Sequence, residues 1–184
     1  MTARSLTVAI AAGGTAGHVN PALALAEELR GRGHDVRFFG ETRRLEGTLV
    51  PQAGFEFFPI RVTGFDRQRP WTLAGALVNL AREERRLIAA FRSGELPVPD
   101  VAIGFGAYLE LPLVRAAHRL GVPVALHEQN SVPGLANKQS ARIASLVAIA
   151  QPSVEKIFRE HCGPGTRIEL TGNPVRRSVL DGDR

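Results

Sequence analysis

The chain has 184 residues, 44% hydrophobic and 22% charged, which suits one ordinary α/β domain with a real core and excludes a disordered or low-complexity chain. No apolar run approaches the ~20 residues needed to cross a bilayer, the N-terminus lacks a signal-peptide plan, and the lone Cys162 excludes a disulfide framework or a thiolate zinc cluster, so the expected location is cytoplasmic. The +5 charge is almost wholly arginine, since Lys138 and Lys156 are the only lysines; it attracts anions without saying whether they are nucleic acid, lipid head groups or phosphorylated substrates.

In chain order, a predicted strand over 6–11 runs into Ala12-Gly13-Gly14-Thr15-Ala16-Gly17-His18-Val19-Asn20-Pro21, and a predicted helix follows over 21–32, stopped by Gly31 and Gly33. Glycines on a strand-to-helix turn let backbone amides approach an anion, and the helix adds the positive end of its dipole. His18 sets an ionisable group beside that anion. A strand over 35–39, a helix over 45–53 stopped by Gly54, a strand over 55–60 and a long helix over 73–92 stopped by Ser93 and Gly94 come next. Trp71, Leu73, Leu77 and Leu80 recur there at helical spacing, with Arg67, Arg69, Arg82, Arg85 and Arg86 at the margins. That pattern fits a peripheral contact with an anionic membrane; it also fits an amphipathic helix packed on a sheet, and Glu83 and Glu84 dilute its charge.

A strand over 101–104 then opens a second glycine turn, Gly104-Phe105-Gly106-Ala107-Tyr108, before a helix over 111–120 ended by Gly121. A strand over 124–127 runs into His127-Glu128-Gln129-Asn130 and Pro133-Gly134, followed by a helix over 135–143, a strand over 146–149 and a helix over 153–159. Near the chain end lies Thr171-Gly172-Asn173-Pro174-Val175-Arg176. Strands separated by single helices imply right-handed crossovers and an α/β, Rossmann-like, doubly wound parallel sheet, with ligands at the carboxyl ends of the strands. The first turn also approaches the dinucleotide fingerprint of an NAD- or FAD-dependent oxidoreductase, with Glu41 roughly 20 residues on, but Ala12 stands at its first glycine and it leaves His127 to Asn130 without a role.

From about Leu6 to Arg176 the chain resembles the N-terminal half of the MurG family, the undecaprenyldiphospho-muramoylpentapeptide β-N-acetylglucosaminyltransferases of glycosyltransferase family 28. Four motifs in order carry the resemblance: the first glycine loop with His18 and Pro21; the second with Tyr108 and Pro112; His127-Glu128-Gln129-Asn130 with Pro133-Gly134-Leu135 and Asn137; and Gly172-Asn173-Pro174-Val175-Arg176. It implies half of a GT-B enzyme of two Rossmann-like domains. Residues 1–165 would be the acceptor-binding domain and 166–184 the start of the interdomain connection, with the donor-binding domain absent. The implied reaction is inverting transfer of N-acetylglucosamine from UDP-N-acetylglucosamine to the muramoyl 4-hydroxyl of lipid I, giving lipid II. This half is expected to be inactive alone. It is either a truncated transferase or one subunit of a split one, and a non-catalytic membrane-recruiting subunit would look the same.

The resemblance also assigns residues. His18 would be the base; Thr15, Ala16, Gly17, Asn130 and Arg176 would contact the donor or its diphosphate; Gly14, Gly104, Gly106, Tyr108, His127, Glu128 and Asn137 would line the acceptor side. Trp71, Leu73, Leu77, Leu80, Arg82 and Arg85 would meet the anionic inner membrane, placing the chain peripherally on its cytoplasmic face. No nucleic acid, cofactor or metal is implied, and Asp-x-Asp occurs only as Asp181-Gly182-Asp183 in the tail. Each assignment has a plainer rival. His18 could cap a helix or bind phosphate without moving a proton, Tyr108 could be a packing ring, His127 and Glu128 could satisfy loop amides, and Asn137 could be a buried hydrogen bonder. The chain departs from the family in having Ala16 and Ala107 where glycine is usual, and Glu110 and Leu111 where small residues are. Glu110 near a diphosphate would repel it unless turned away or paired with an arginine.

Overall fold

The computed structural model describes residues 4–62 and 71–176. Its elements run β1 (Thr7–Ala11), α1 (Ala16–Gly31), β2 (Asp35–Gly40), α2 (Glu46–Gln52), β3 (Glu56–Pro59), α3 (Thr72–Ser93), β4 (Val101–Gly104), α4 (Glu110–Arg119), β5 (Val124–Glu128), α5 (Leu135–Ser140), β6 (Leu146–Ile149), α6 (Glu155–His161) and β7 (Arg167–Leu170). The strands form one parallel sheet in the order β3-β2-β1-β4-β5-β6-β7. Period-two alternation divides the core between two faces. In β1, Val8 and Ile10 pack with Val19, Leu23 and Phe38 on the α1 side, while Ala9 and Ala11 face Leu87, Leu113 and Phe91 on the α3 and α4 side. The chain winds one way from β1 to β3 and the other way from β4 onward, so the order reverses between β1 and β4. Both glycine turns leave the sheet at that switch point, where a doubly wound sheet opens a crevice.

Two elements differ from the sequence expectation. Helix α1 begins at Ala16, five residues early, because Thr15 is extended (φ −141°) and its carbonyl accepts the N–H groups of His18 and Val19, both at 3.1 Å. Pro21 then sits inside the helix, forfeiting the one bond its missing N–H would have made to Gly17. The second difference is β7, which pairs with β6 as Val147↔Ile168, so the sheet extends through Leu170 into the span expected to begin the interdomain connection. Arg67, Arg69, the tail from residue 177 and its Asp181-Gly182-Asp183 lie outside the described residues.

Candidate active site

Three buried glutamates organise the sheet edge. At the start of α2, Glu46 accepts the Gly14 N–H at 3.1 Å through Oε2 and the Glu41 N–H at 3.3 Å through Oε1. At the start of α4, Glu110 accepts the Gly106 N–H at 2.6 Å and lies 3.1 Å from the Ser140 hydroxyl. At the end of β5, Glu128 takes four donors: the Asn130 N–H (3.0 Å) and Nδ2 (2.9 Å) on Oε1, and the Gly134 N–H (3.0 Å) and Asn137 Nδ2 (2.9 Å) on Oε2. All three carboxyl groups are fully buried. Each pins the loop beside it, and Glu46 ties two together, because a buried carboxyl separated from its amide donors would bear the full cost of desolvation.

This arrangement relocates the anion site. The Gly14 and Gly106 amides point inward at glutamates, so neither is free for a phosphate. The N–H groups of Thr15, Ala16 and Gly17, at the start of the 16-residue helix α1, make no hydrogen bond among the described residues and are the donors left to an anion. Gly104 also changes role: it lies within β4, where a Cβ would come 2.5 Å from Glu110 Oε2, so it makes room for that carboxyl instead of lining the acceptor side. Glu110 is turned inward, as the family departure required, but onto an amide and a hydroxyl with no arginine involved. Ala16 and Ala107 have negative φ, so their methyl groups are unstrained.

His18 stands at the junction of the loops. Its Nδ1 is 2.7 Å from Thr15 Oγ1, and its ring edge faces Gly106, where a Cβ would lie 3.6 Å from His18 Cδ2 and 3.0 Å from Asn137 Nδ2. Gly106 (φ +87°) occupies a conformation other residues avoid, so both the turn and the close approach call for glycine. Burial holds the His18 imidazole below its ordinary 6.5, while the Glu128 charge pulls it up. The result is a neutral ring at neutral pH with one nitrogen held by Thr15.

The other expected residues fall into three groups. His127 and Asn137 are buried beside Glu128. His127 Nε2 is 3.0 Å from the Gly172 carbonyl, its Nδ1 is 3.0 Å from Gln129 Nε2, and burial lowers its pKa. Asn137 also donates to the His127 carbonyl at 3.1 Å, and its buried Oδ1 has no partner among the described residues. Glu128 and Asn137 therefore brace the 130–134 loop from behind, and Asn130 spends its amide on Glu128. Arg176 is not brought to this edge: it pairs with Glu27 at 2.6 Å, some 16 Å along α1 from Ala16.

The third group surrounds an apolar groove of about 500 Å³ between α3, α4 and α5, opening beside Gly106. Tyr108, half-buried with its hydroxyl 3.4 Å from the Ala76 carbonyl, lines it with Leu73, Leu77, Leu111 and Arg115. Of the residues expected to form a membrane patch, Trp71, Leu73 and Leu77 are exposed. Leu80 is not: it is 2% exposed, packed on Leu111 and Ala136 as the groove floor. Arg82 lies nine residues from Leu73, half a turn round α3, and lines a different cavity; Arg85 is exposed. Glu46 and the α3 arginine cavity escaped sequence reasoning. The only signal for Glu46 was an acidic residue opening a short apolar helix.

Residues 8–149 match the glycosyltransferase family 28 N-terminal domain. The UDP-N-acetylglucosamine--N-acetylmuramyl-(pentapeptide) pyrophosphoryl-undecaprenol N-acetylglucosamine transferase of Halalkalibacterium halodurans is 37% identical over 181 residues, covering 97% of this chain and 48% of the relative. The protein of that name from Clavibacter sepedonicus is 42% identical over 179 residues, covering 95% and 45%. The crystal structure of Acinetobacter baumannii MurG is similar with a TM-score of 0.72 at 25% identity, over 97% of this chain and 49% of that one. The chain thus spans about half the length of the curated relatives it matches. It belongs to glycosyltransferase family 28, and its fold is that of a GT-B N-terminal domain.

Proposed function

We propose that this family 28 chain is the acceptor half of an inverting glycosyltransferase that moves N-acetylglucosamine from UDP-N-acetylglucosamine to the muramoyl 4-hydroxyl of lipid I, in peptidoglycan synthesis. The observation that carries the reading is the convergence of His18, Gly106 and the Glu128-anchored loop at the switch point, within the family-matched span. With Nδ1–H donating to Thr15 Oγ1, the Nε2 lone pair of His18 is free to take a proton. The acceptor oxygen attacks the anomeric carbon from the face opposite UDP, its proton passes to Nε2, and the bond to the diphosphate breaks with inversion. The free amides of Thr15, Ala16 and Gly17 stabilise diphosphate charge. The donor arrives activated, so no redox cofactor takes part.

The acceptor is lipid-linked, and the apolar groove with exposed Trp71, Leu73 and Leu77 gives it an interfacial seat, rimmed by Arg115. None of the helices among the described residues is long and apolar enough to cross a membrane. The apolar seat attaches the chain peripherally at the cytoplasmic face, an attachment that also serves the reading as a membrane-recruiting subunit. In a two-domain protein carrying this chain, His18→Ala lowers kcat at least ~100-fold if His18 is the base. A loss confined to KM makes it a binding group. Pelleting of the chain with anionic liposomes no greater than with neutral ones removes the membrane component.

A further inference from the structure

Beyond the carboxyl ends of β2 and β3 lies a second cavity, of about 730 Å³, walled on one side by α3. Arg43 reaches it from the turn after β2, Arg61 from the turn after β3, and Arg82 and Arg86 from α3, together with Glu41 and Glu83. Both carboxylates are occupied. Glu83 holds Arg86 at 2.7 Å and accepts the Arg61 N–H at 3.2 Å, and Glu41 holds Arg44 at 2.7 Å. The side chains of Arg43, Arg61 and Arg82 form no ion pair among the described residues. Guanidinium groups left without an ion pair around one concavity suit a carboxylate, whose two oxygens match their planar forks two bonds at a time.

The cavity is mechanically joined to the candidate active site. Glu46 holds the N–H of Glu41 at the cavity and that of Gly14 at the first glycine loop with one carboxyl group. β3 lies two strands from β1, a separation of ~10 Å, and five extended residues span ~16 Å. The relatives' names place a pentapeptide on the muramyl group of the acceptor. A peptide joined through its N-terminus to a sugar acid keeps a carboxylate at its free end. We infer that the cavity bounded by Arg43, Arg61 and Arg82 recognises the carboxylate end of the acceptor's peptide, an inference that rests on the acceptor reading above. Helix α3 then divides the ligand: lipid in the apolar groove on one side, peptide among the arginines on the other.

Calorimetric titration of the chain with three probes tests this: muramyl pentapeptide with a free C-terminal carboxylate, the same compound as its C-terminal amide, and a soluble short-chain diphosphate-linked muramyl pentapeptide. The free acid binds at least ~10-fold tighter than the amide, and the double variant Arg61→Gln/Arg82→Gln abolishes that difference while keeping the wild-type circular dichroism spectrum. Equal affinities for acid and amide, or a double variant that still discriminates, overturn the inference. Binding of phosphatidylglycerol vesicles through the same two arginines, without discrimination between the peptides, assigns the cavity to lipid head groups and also overturns it. If the diphosphate-linked compound fails to bind wild type, the acceptor reading falls as well; if it binds and amidation changes nothing, only the peptide site falls.

Discussion

Glu110 shows how one side chain can set a pH dependence for the whole domain. Burial pushes its carboxyl up to about 8 from 4.5; the Gly106 N–H and the Ser140 hydroxyl pull it down, and the Glu128 charge adds to the rise. Between those two values the folded chain holds a proton that the unfolded chain releases, so stability is full below 4.5 and is lost as pH rises through about 8. The ceiling on that loss is ~5 kcal/mol. Glu110→Gln keeps an acceptor for Gly106 and removes the titration. Thermal melts from pH 5 to 8.5 should therefore fall by several degrees more in wild type than in the variant, and parallel curves would count against a protonated Glu110. His18 and His127 act on the acid side with opposite sign. Their folded values lie below 6.5, so the unfolded chain binds more protons and stability is lost as pH falls below 6.5. At this scale the sequence displayed His18, Gly106 and the His127–Asn130 string, because motif and strand end coincide. It concealed Glu46 and the inward turn of Glu110, because a glutamate beside a glycine loop looks the same whether it faces solvent or an amide.

Elements explain why glycines within one motif have opposite energetics. Gly13 lies under α2, where a Cβ would overlap the Glu46 carboxyl and Leu109, both buried. Gly17 lies in the first turn of α1, where a Cβ would meet only Thr15 Oγ1, at 3.7 Å. Gly13→Ala should cost ~1–3 kcal/mol by overpacking and loosen the Gly14 turn. Gly17→Ala should hold stability or raise it by ~0.5–1 kcal/mol, since alanine loses less entropy in a helix. Urea unfolding of the two variants checks the pair, and a matching sign would refute this account of the loop. The sequence could not make the distinction, since the AGGTAG string reads as one flexible turn until α1 is seen to start at Ala16. Six strands were legible as apolar runs. β7, read as connection, was not: Arg167, Glu169 and Leu170 are exposed and only Ile168 leans on the core, so it carries no apolar run to detect.

At the scale of the molecule, both faces of a seven-stranded sheet are covered, while the edge bearing the three glutamate-pinned loops is left to ligands. That division makes a prediction about partial function. The core is closed by elements within this chain, so the chain should unfold in one cooperative transition, with far- and near-ultraviolet circular dichroism melting together. The amides at the start of α1 serve either diphosphate; what tells the substrates apart is that Arg176, implied in donor binding, is held by Glu27, while the apolar groove beside Gly106 stands open to an acceptor. A soluble diphosphate-linked acceptor should therefore give saturable heat with the chain, whereas UDP-N-acetylglucosamine at millimolar concentration should give none. The contrast tests the proposed division of the two substrates between this chain and the remainder of a two-domain enzyme. Saturable donor binding with no acceptor binding would exchange their places, and the groove beside Gly106 would then need an occupant other than lipid.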